Sequence, residues 1–275
     1  MSRKFKLGNL YLGSVFVLLY LPILFLIVYS FNAGDVMQGW AGFSLKHYSE
    51  LFSDTRILEI VVSTFLIALL SSLLASIIGT AGALYIYNLK HTVVKNIFLS
   101  LNNILLVSPD VIIGASFLIL FTVMGFALGF TSVLLAHIAF SIPIVVLMVL
   151  PRLQEMNQSI VASAKDLGAN NWQMISRVIL PVISPGILAG FFMAFTYSLD
   201  DFAVTFFVTG NGFTTLSVEI YSRARQGVSL EINALSTMMF VVSLLLVLFY
   251  YVISTRAVKN KKRSTRLVLP ASEGL

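Results

Sequence analysis

Three acids sit where the chain is otherwise too apolar for charge. Asp110 lies inside the apolar run 96–123, and the adjacent Asp200 and Asp201 lie inside the run 182–209. An ionised side chain inside a bilayer costs about 2.5–3.5 kcal/mol on insertion scales, so each acid needs a reason to be there. On a continuous helix Asn103, Asp110, Gly114 and Phe117 share one face, because 7 and 11 residues are near whole turns. That face is polar, then open, then aromatic, which suits the lining of a cation path. A second reading competes with it. Ser108-Pro109-Asp110 is a helix-start signature, with serine as cap, proline at the first position and an acid favoured by the dipole. Both readings stay open.

Asp200 and Asp201 point about 100° apart on a helix, so they do not face one ligand in the same way. Tyr197, Asp201 and Thr205 align at i, i+4 and i+8, while Asp200 shares a face with Thr196 and Val204. Either one acid meets a substrate and the other pairs with a neighbour, or both are interhelical hydrogen-bonding groups. A di- or tri-cation needs spaced acceptors and aromatic faces for its methylene and ammonium groups. Asp110, Asp201, Tyr197 and Phe117 supply those types. His137 shares a face with Ser141 and is read as an interhelical hydrogen-bond partner. The three histidines fall in separate segments and there is no cysteine, so no metal site is expected. No nucleophile–base pair stands out, so catalytic residues and cofactors are not expected either.

These residues depend on spans to hold them. Of the 275 residues, 58% are hydrophobic and only 11% charged, against roughly 25% in soluble domains. Mean hydropathy is +0.93. The chain is therefore all-α and polytopic. Six apolar runs, about 10–31, 57–87, 96–123, 131–151, 182–209 and 232–255, each reach the roughly 20 residues needed to cross. The first is longer than a signal-peptide core and lacks a clean cleavage site, so it reads as a retained helix after a short N-terminus, 1–9.

With both termini in the cytosol, all Lys and Arg except Lys46, Arg56, Arg223 and Arg225 lie inside, as the positive-inside rule requires. The net charge of +6 thus sets orientation and implies no nucleic-acid partner. The basic tail, 256–275, reads as an anchor near anionic lipid. The second run would rise about 46 Å against a hydrocarbon core of about 30 Å, so it tilts or protrudes. Ser71, Ala75, Gly79 and Ala83 repeat along it at i+4, a stripe that lets another helix approach closely. The outer loops carry turns at Gly34, Gly39 and Gly42 with Trp40 as an interfacial anchor, and a Gly-Asn-Gly turn at 210–212.

One polar interruption, Arg152 to Pro181, separates the fourth and fifth runs. It reads as two short helices. The first covers about Ser159 to Leu167, and Gly168 suits the left-handed residue that ends it. Asn170 or Asn171 caps the second, with Gln173 completing an imperfect capping box. Trp172, Ile175 and Ile179 form an apolar stripe. The opposite face is polar and nearly uncharged, with only Arg177. A helix lying on lipid headgroups is richer in Lys and Arg, so the loop fits a protein partner better.

Ala162-Ser163-Ala164-Lys165-Asp166-Leu167-Gly168, followed by Val178-Ile179-Leu180-Pro181, resembles the coupling motif of type I ABC importer permeases: Glu-Ala-Ala, three residues, Gly, nine residues, Ile, any residue, Leu-Pro. The Gly168-to-Pro181 distance matches. Ala162 replaces the family's Glu and Val178 its Ile. The resemblance implies a permease core over 57–255 with its loop at about 152–181. It further implies that Ala162, Ala164, Asp166, Gly168, Ala169, Trp172 and Pro181 engage a cytosolic ABC ATPase dimer.

Ser-Pro-Asp at 108–110, Asp-Asp at 200–201, Phe-Val-Thr-Gly at 207–210, Ile-Tyr-Ser at 220–222 and Val-Ser-Leu-Glu-Ile-Asn-Ala-Leu at 228–235 are similar to the permeases of spermidine/putrescine importers. That similarity implies polyamine transport across the bacterial cytoplasmic membrane. It also implies a second permease subunit in a heterodimer and an extracytoplasmic substrate-binding protein. The chain has no GxxxxGK[ST] motif, so a separate protein hydrolyses ATP. Replacing Asp201 by Asn is expected to weaken cation transport more than ATPase coupling; equal loss of both would mark a structural role. The alternatives are a permease of the same class for another amine, a sugar or an anion, and a stand-alone secondary transporter. The latter class often shows inverted repeats, and none is evident here.

Overall fold

Prolines and glycines mark most of the places where this chain changes direction. A computed structural model describes residues 2–35, 37, 39–226 and 230–268. The start of the 228–235 run and the end of the basic tail lie outside the described residues. The helices are α1 (Ser2–Tyr29), α2 (Lys46–Ser53), α3 (Thr55–Asn88), α4 (Thr92–Val107), α5 (Asp110–Val123), α6 (Phe130–Gln154), α7 (Gln158–Asp166) and α8 (Asn171–Gln173). A π-helical turn, Met174–Ile179, leads into α9 (Leu180–Asp200), followed by α10 (Ala203–Val208), α11 (Leu216–Gln226) and α12 (Leu230–Val268). The protein is all-α. Among the described residues, Gly8–Tyr29, Thr55–Asn88, Phe130–Gln154, Asn171–Asp200 and Leu230–Phe249 are long and apolar enough to cross a membrane, and α4 with α5 adds a sixth if the bent pair counts as one span.

Three expectations change. The run 96–123 is not one helix: α4 and α5 meet at 105°. Pro109 has no N–H to continue α4, and the residue before a proline is pushed toward extended backbone; Ser108 has ψ 138°. The run 182–209 is also broken, because α9 stops at Asp200 and Asp201 is extended, with ψ 118°. Conversely, the second helix of the polar loop does not end at Pro181. It passes through the π turn into α9, giving 30 continuous helical residues from Asn171 to Asp200. The wider π turn precedes Pro181, whose ring would crowd the carbonyl one α-turn back. Pro185 leaves the Pro181 carbonyl without its amide donor, and the Ser184 hydroxyl donates to that carbonyl at 2.9 Å instead. The segment after Arg256 is helical through Val268.

The chain divides into two compact units, Met1–Val61 with Val218–Leu246 and Val62–Ser217 with Val247–Leu275. In the first, Asn32 organises the loop after α1. Its side chain donates to Gly39 O at 2.9 Å and accepts from Ala41 N at 2.7 Å. Trp40 lies edge-on to Tyr29 at 6.2 Å. An ion-pair lattice holds α11. Buried Glu219 accepts from Arg56 at 3.0 Å and from Arg223 at 2.8 Å, and Arg223 also reaches Glu231 at 3.0 Å and Asp54 at 3.7 Å. Burial pulls the Arg223 guanidinium down, but Glu219, Glu231 and Asp54 outweigh it and hold it above its ordinary value. Lys46 beside Asp35 holds that exposed carboxyl below its usual range.

In the second unit α6 is gripped from two sides by small residues. Ser71, Ala75 and Ala83 of α3 are fully buried. A Cβ on Gly79 would lie 2.7 Å from Val145 Cβ. A matching stripe on α9 runs through Gly186, Gly190, Ala194 and Ser198, and a Cβ on Gly190 would lie 3.1 Å from Val145 Cα. Val145 of α6 thus fills both seams. Interhelical packing in lipid relies on such close approach, since lipid tails are as apolar as leucine.

Candidate functional site

The break between α4 and α5 places Asp110 in the first turn of α5, where its charge meets the unpaired amides of a helix start. Ser108 does not cap that helix; its hydroxyl donates back to Ile104 O at 2.7 Å. One turn further on, Gly114 is the point of closest approach to α10. A Cβ there would meet Phe207 at 2.8 Å and Val204 Cα at 3.0 Å. That approach brings the start of α5 to the end of α9. The Tyr197 hydroxyl donates to Asp110 Oδ1 at 2.6 Å. The Tyr197 ring stands edge-on to Phe140 at 5.1 Å and is 38% exposed, and Asp110 is half-buried. An aromatic face and a carboxylate are therefore joined at one partly open spot, the pairing that a methylene-spaced ammonium group calls for.

The other expected lining residues do not join them in a single row. Asn103 lies on α4, before the 105° bend, so it shares no continuous helix face with Asp110. Phe117 turns toward the apolar cluster of Ile113, Val133, Phe140 and Val204 and stacks with Phe121 at 5.7 Å. It also contributes to a mainly apolar concavity in the crook of α4 and α5, with Ser108, Ile112 and Ser116. Asp200, the last residue of α9, is exposed.

Asp201 departs most from the sequence expectation. The helical stripe Tyr197–Asp201–Thr205 requires continuity that the break removes. Asp201 is buried, and its carboxylate receives the amides of Val204 at 3.3 Å and Thr205 at 2.8 Å and the Thr205 hydroxyl at 2.7 Å. It therefore caps α10 in the manner of a helix-start aspartate. Its own carbonyl accepts from Ser217 Oγ at 2.6 Å. His137, fully buried, lies 3.5 Å from Asp201 Oδ2 and bonds Thr205 and Ser198. It is an interhelical partner, as expected, and a more connected one. Ser141, its neighbour on the same face, has a buried hydroxyl without a partner among the described residues.

The polar loop is built as its capping residues dictate. Asn157 accepts from Ser159 N at 3.0 Å to start α7. Gly168 ends it at φ +80°, with Gly168 N bonding Lys165 O at 2.9 Å and Ala169 N bonding Ala164 O at 3.0 Å. That pair of bonds is the Schellman closure, which needs a left-handed residue. Asn170 and Gln173 form both halves of the capping box, at 2.8 and 3.0 Å. Leu167 is 88% exposed and Trp172 75% exposed, while Ala162 and Asp166 are exposed and Ala164 and Ala169 half-buried. Pro181 lies within α9 rather than after a separate loop helix. Gln158 donates to the Tyr87 hydroxyl, fastening α7 to the end of α3.

Ser198, Phe140, Tyr87 and Gln158 were not singled out from the sequence. Ser198 stands three residues before Asp201 and ends an i+4 run of small residues, a signal of the same kind as the α3 stripe. Phe140 follows His137 by one turn, which hinted at a shared face. Nothing in the sequence links Gln158 to Tyr87.

The family model described as binding-protein-dependent transport system inner membrane component matches residues 75–263. The chain is 37% identical over 258 residues to the spermidine/putrescine transport system permease protein PotC of Haemophilus influenzae, covering 93% of this chain and 99% of that protein. It is 38% identical over 229 residues to the putrescine transport system permease protein PotI of Escherichia coli K12, covering 81% and 82%. Among solved structures, a chain of a bacterial ABC transporter involved in the import of the acidic polysaccharide alginate superposes with a TM-score of 0.71 at 20% identity, covering 92% of this chain and 96% of that one. At that identity the likeness concerns the fold.

Proposed function

We propose, from the premise that this chain belongs to the family of binding-protein-dependent transport system inner membrane components, that it is the permease subunit of an ATP-driven importer of polyamines, with spermidine and putrescine as substrates. The carrying observation is the 37% identity to a spermidine/putrescine permease along nearly the whole of both chains. The partly open Asp110–Tyr197 pair and the exposed Asp200 supply acceptors for ammonium groups. The protein is a multi-pass component of the cytoplasmic membrane.

In this reading the core spans 57–255 and both termini and the 152–181 loop face the cytosol. The subunit performs no covalent chemistry. A cytosolic ABC ATPase dimer hydrolyses ATP, a second permease completes a heterodimer, and an extracytoplasmic binding protein delivers the cargo. Asn171–Asp200 then acts as a lever of about 45 Å. Trp172 stands at its ATPase end, and Tyr197 and Asp200 stand at the other. Movement of the ATPase against Trp172 is carried along this continuous helix, through the π turn and past Pro185, to the acceptor groups, switching access between the two sides.

The complete assembly reconstituted in vesicles should take up labelled spermidine and putrescine only with ATP present. Uptake of a sugar or an anion in their place would overturn the substrate assignment. The loop assignment has its own expected result. Leu167→Asp combined with Trp172→Ala should lower co-purification of the ATPase about tenfold or more, because buried aromatic anchors dominate interface energy. The permease should still reach the membrane, since both side chains project away from its core. Unchanged co-purification would place the dock elsewhere.

A further inference from the structure

His137 has no role in the proposal above, yet it touches both sides of the candidate site. Its Nε2 lies 2.8 Å from Thr205 Oγ1 and its Nδ1 2.6 Å from Ser198 Oγ. The Thr205 hydroxyl spends its one proton on Asp201 Oδ2 at 2.7 Å. Thr205 must then accept from the imidazole, which puts a proton on Nε2. On the other side Nδ1 accepts from the Ser198 hydroxyl, and Ser198 accepts in turn from Ser71 Oγ at 3.1 Å, with Ala68 O at 3.2 Å as the alternative acceptor for that one Ser71 proton. A chain of hydrogen bonds thus runs Ser71–Ser198–His137–Thr205–Asp201, crossing α3, α9, α6 and α10.

The same imidazole also packs against Phe140, with ring centroids 4.8 Å apart. Phe140 in turn supports the ring of Tyr197, which holds Asp110. One side chain therefore braces the break that separates Asp200 from Asp201 and backs the acid–tyrosine pair.

We propose that His137 is the positioning residue of the cation site: its Nε2–H, through Thr205, keeps Asp201 turned to the start of α10, so that Tyr197, Asp110 and Asp200 are held where a cation meets them. The inference rests on the polyamine reading for its substrate, but the bonding pattern stands independently of the cargo. A buried polar side chain bonded at both ends fixes a single arrangement, and losing one end leaves its partners unsatisfied.

The variants are read in the reconstituted assembly of both permeases, the ATPase and the binding protein. A glutamine amide reaches about as far as imidazole Nε2, so His137→Gln keeps the Thr205 bond, whereas His137→Leu keeps bulk alone. His137→Leu should raise the half-saturating spermidine concentration about tenfold. ATP hydrolysis should change less than half-saturation does. His137→Gln should restore half-saturation to within about threefold of the native value. Native half-saturation in His137→Leu, or equal impairment in both variants, would overturn the proposal and leave His137 as packing.

A second measurement covers the case in which His137→Leu fails to fold or the cargo is not a polyamine. Nitrogen-15 spectra of the native complex with this subunit alone labelled, and its three histidines to assign, should show His137 protonated at Nε2. That resonance should shift on Thr205→Val. A proton on Nδ1 alone, or no response to Thr205→Val, would sink the idea. Absence of spermidine uptake by the native assembly would instead count against the polyamine assignment and leave this spectrum to judge His137.

Discussion

Asp110→Asn is expected to cut spermidine uptake at low substrate by between about ten- and a hundredfold, the range spanned by losing one hydrogen bond to a charged group. The substitution is close to isosteric. Asparagine still offers an oxygen to the Tyr197 hydroxyl, so the 2.6 Å contact has a replacement acceptor. It removes only the charge, and its cost to the α5 start is small, about 0.3–1 kcal/mol at a helix terminus. Binding-protein-stimulated ATP hydrolysis should fall much less than uptake. Tyr197→Phe removes the donor and keeps the ring on Phe140, so its effect should be smaller, about threefold to tenfold. Uptake and half-saturation measured in vesicles decide the matter. Native uptake by Asp110→Asn would reduce Asp110 to a helix-terminal acid, the second reading that Ser108-Pro109-Asp110 always allowed.

That ambiguity shows where sequence reasoning stops. A face shared by Asn103, Asp110 and Phe117 is correct arithmetic on a helix that does not exist. Pro109 was visible, but a proline kinks some helices and ends others, and neither the 105° bend nor the close approach at Gly114 follows from its presence. Local signals fared better because local chemistry sets them. Gly168 needs a left-handed backbone, and Asn170 with Gln173 completes a capping box within four residues. The small-residue stripe of α3 was legible from its i+4 spacing alone. The equivalent stripe on α9 uses the same code at Gly186, Gly190, Ala194 and Ser198. The π turn left no mark in the periodicity of the sequence, so the continuity from Trp172 to Asp200 was hidden.

Asp201→Asn is expected to lower uptake and ATPase coupling together, with a loss of stability of about 1–3 kcal/mol, because one buried amide loses its acceptor and the bonds that remain lose a charged partner. A continuous helical stripe of Tyr197, Asp201 and Thr205 would instead put Asp201 on the path and weaken transport more than coupling. The geometry puts the carboxylate on the α10 amides, the Thr205 hydroxyl and the neighbourhood of His137. One carboxylate oxygen accepts both the Thr205 amide and the Thr205 hydroxyl, so an asparagine keeps its carbonyl oxygen there and turns its NH2 group to the Val204 amide, donor against donor. Asp200→Asn provides the contrast, because an exposed acid at the end of α9 has little packing to lose. It should affect half-saturation and leave thermal stability close to native. If Asp201→Asn retains native thermal stability while only uptake falls, Asp201 is a cation ligand after all, and the inward cap described here is not the state that meets the substrate. Two neighbouring acids thus stand in different settings: the break at 201 turns one into scaffold and leaves the other exposed at the end of α9.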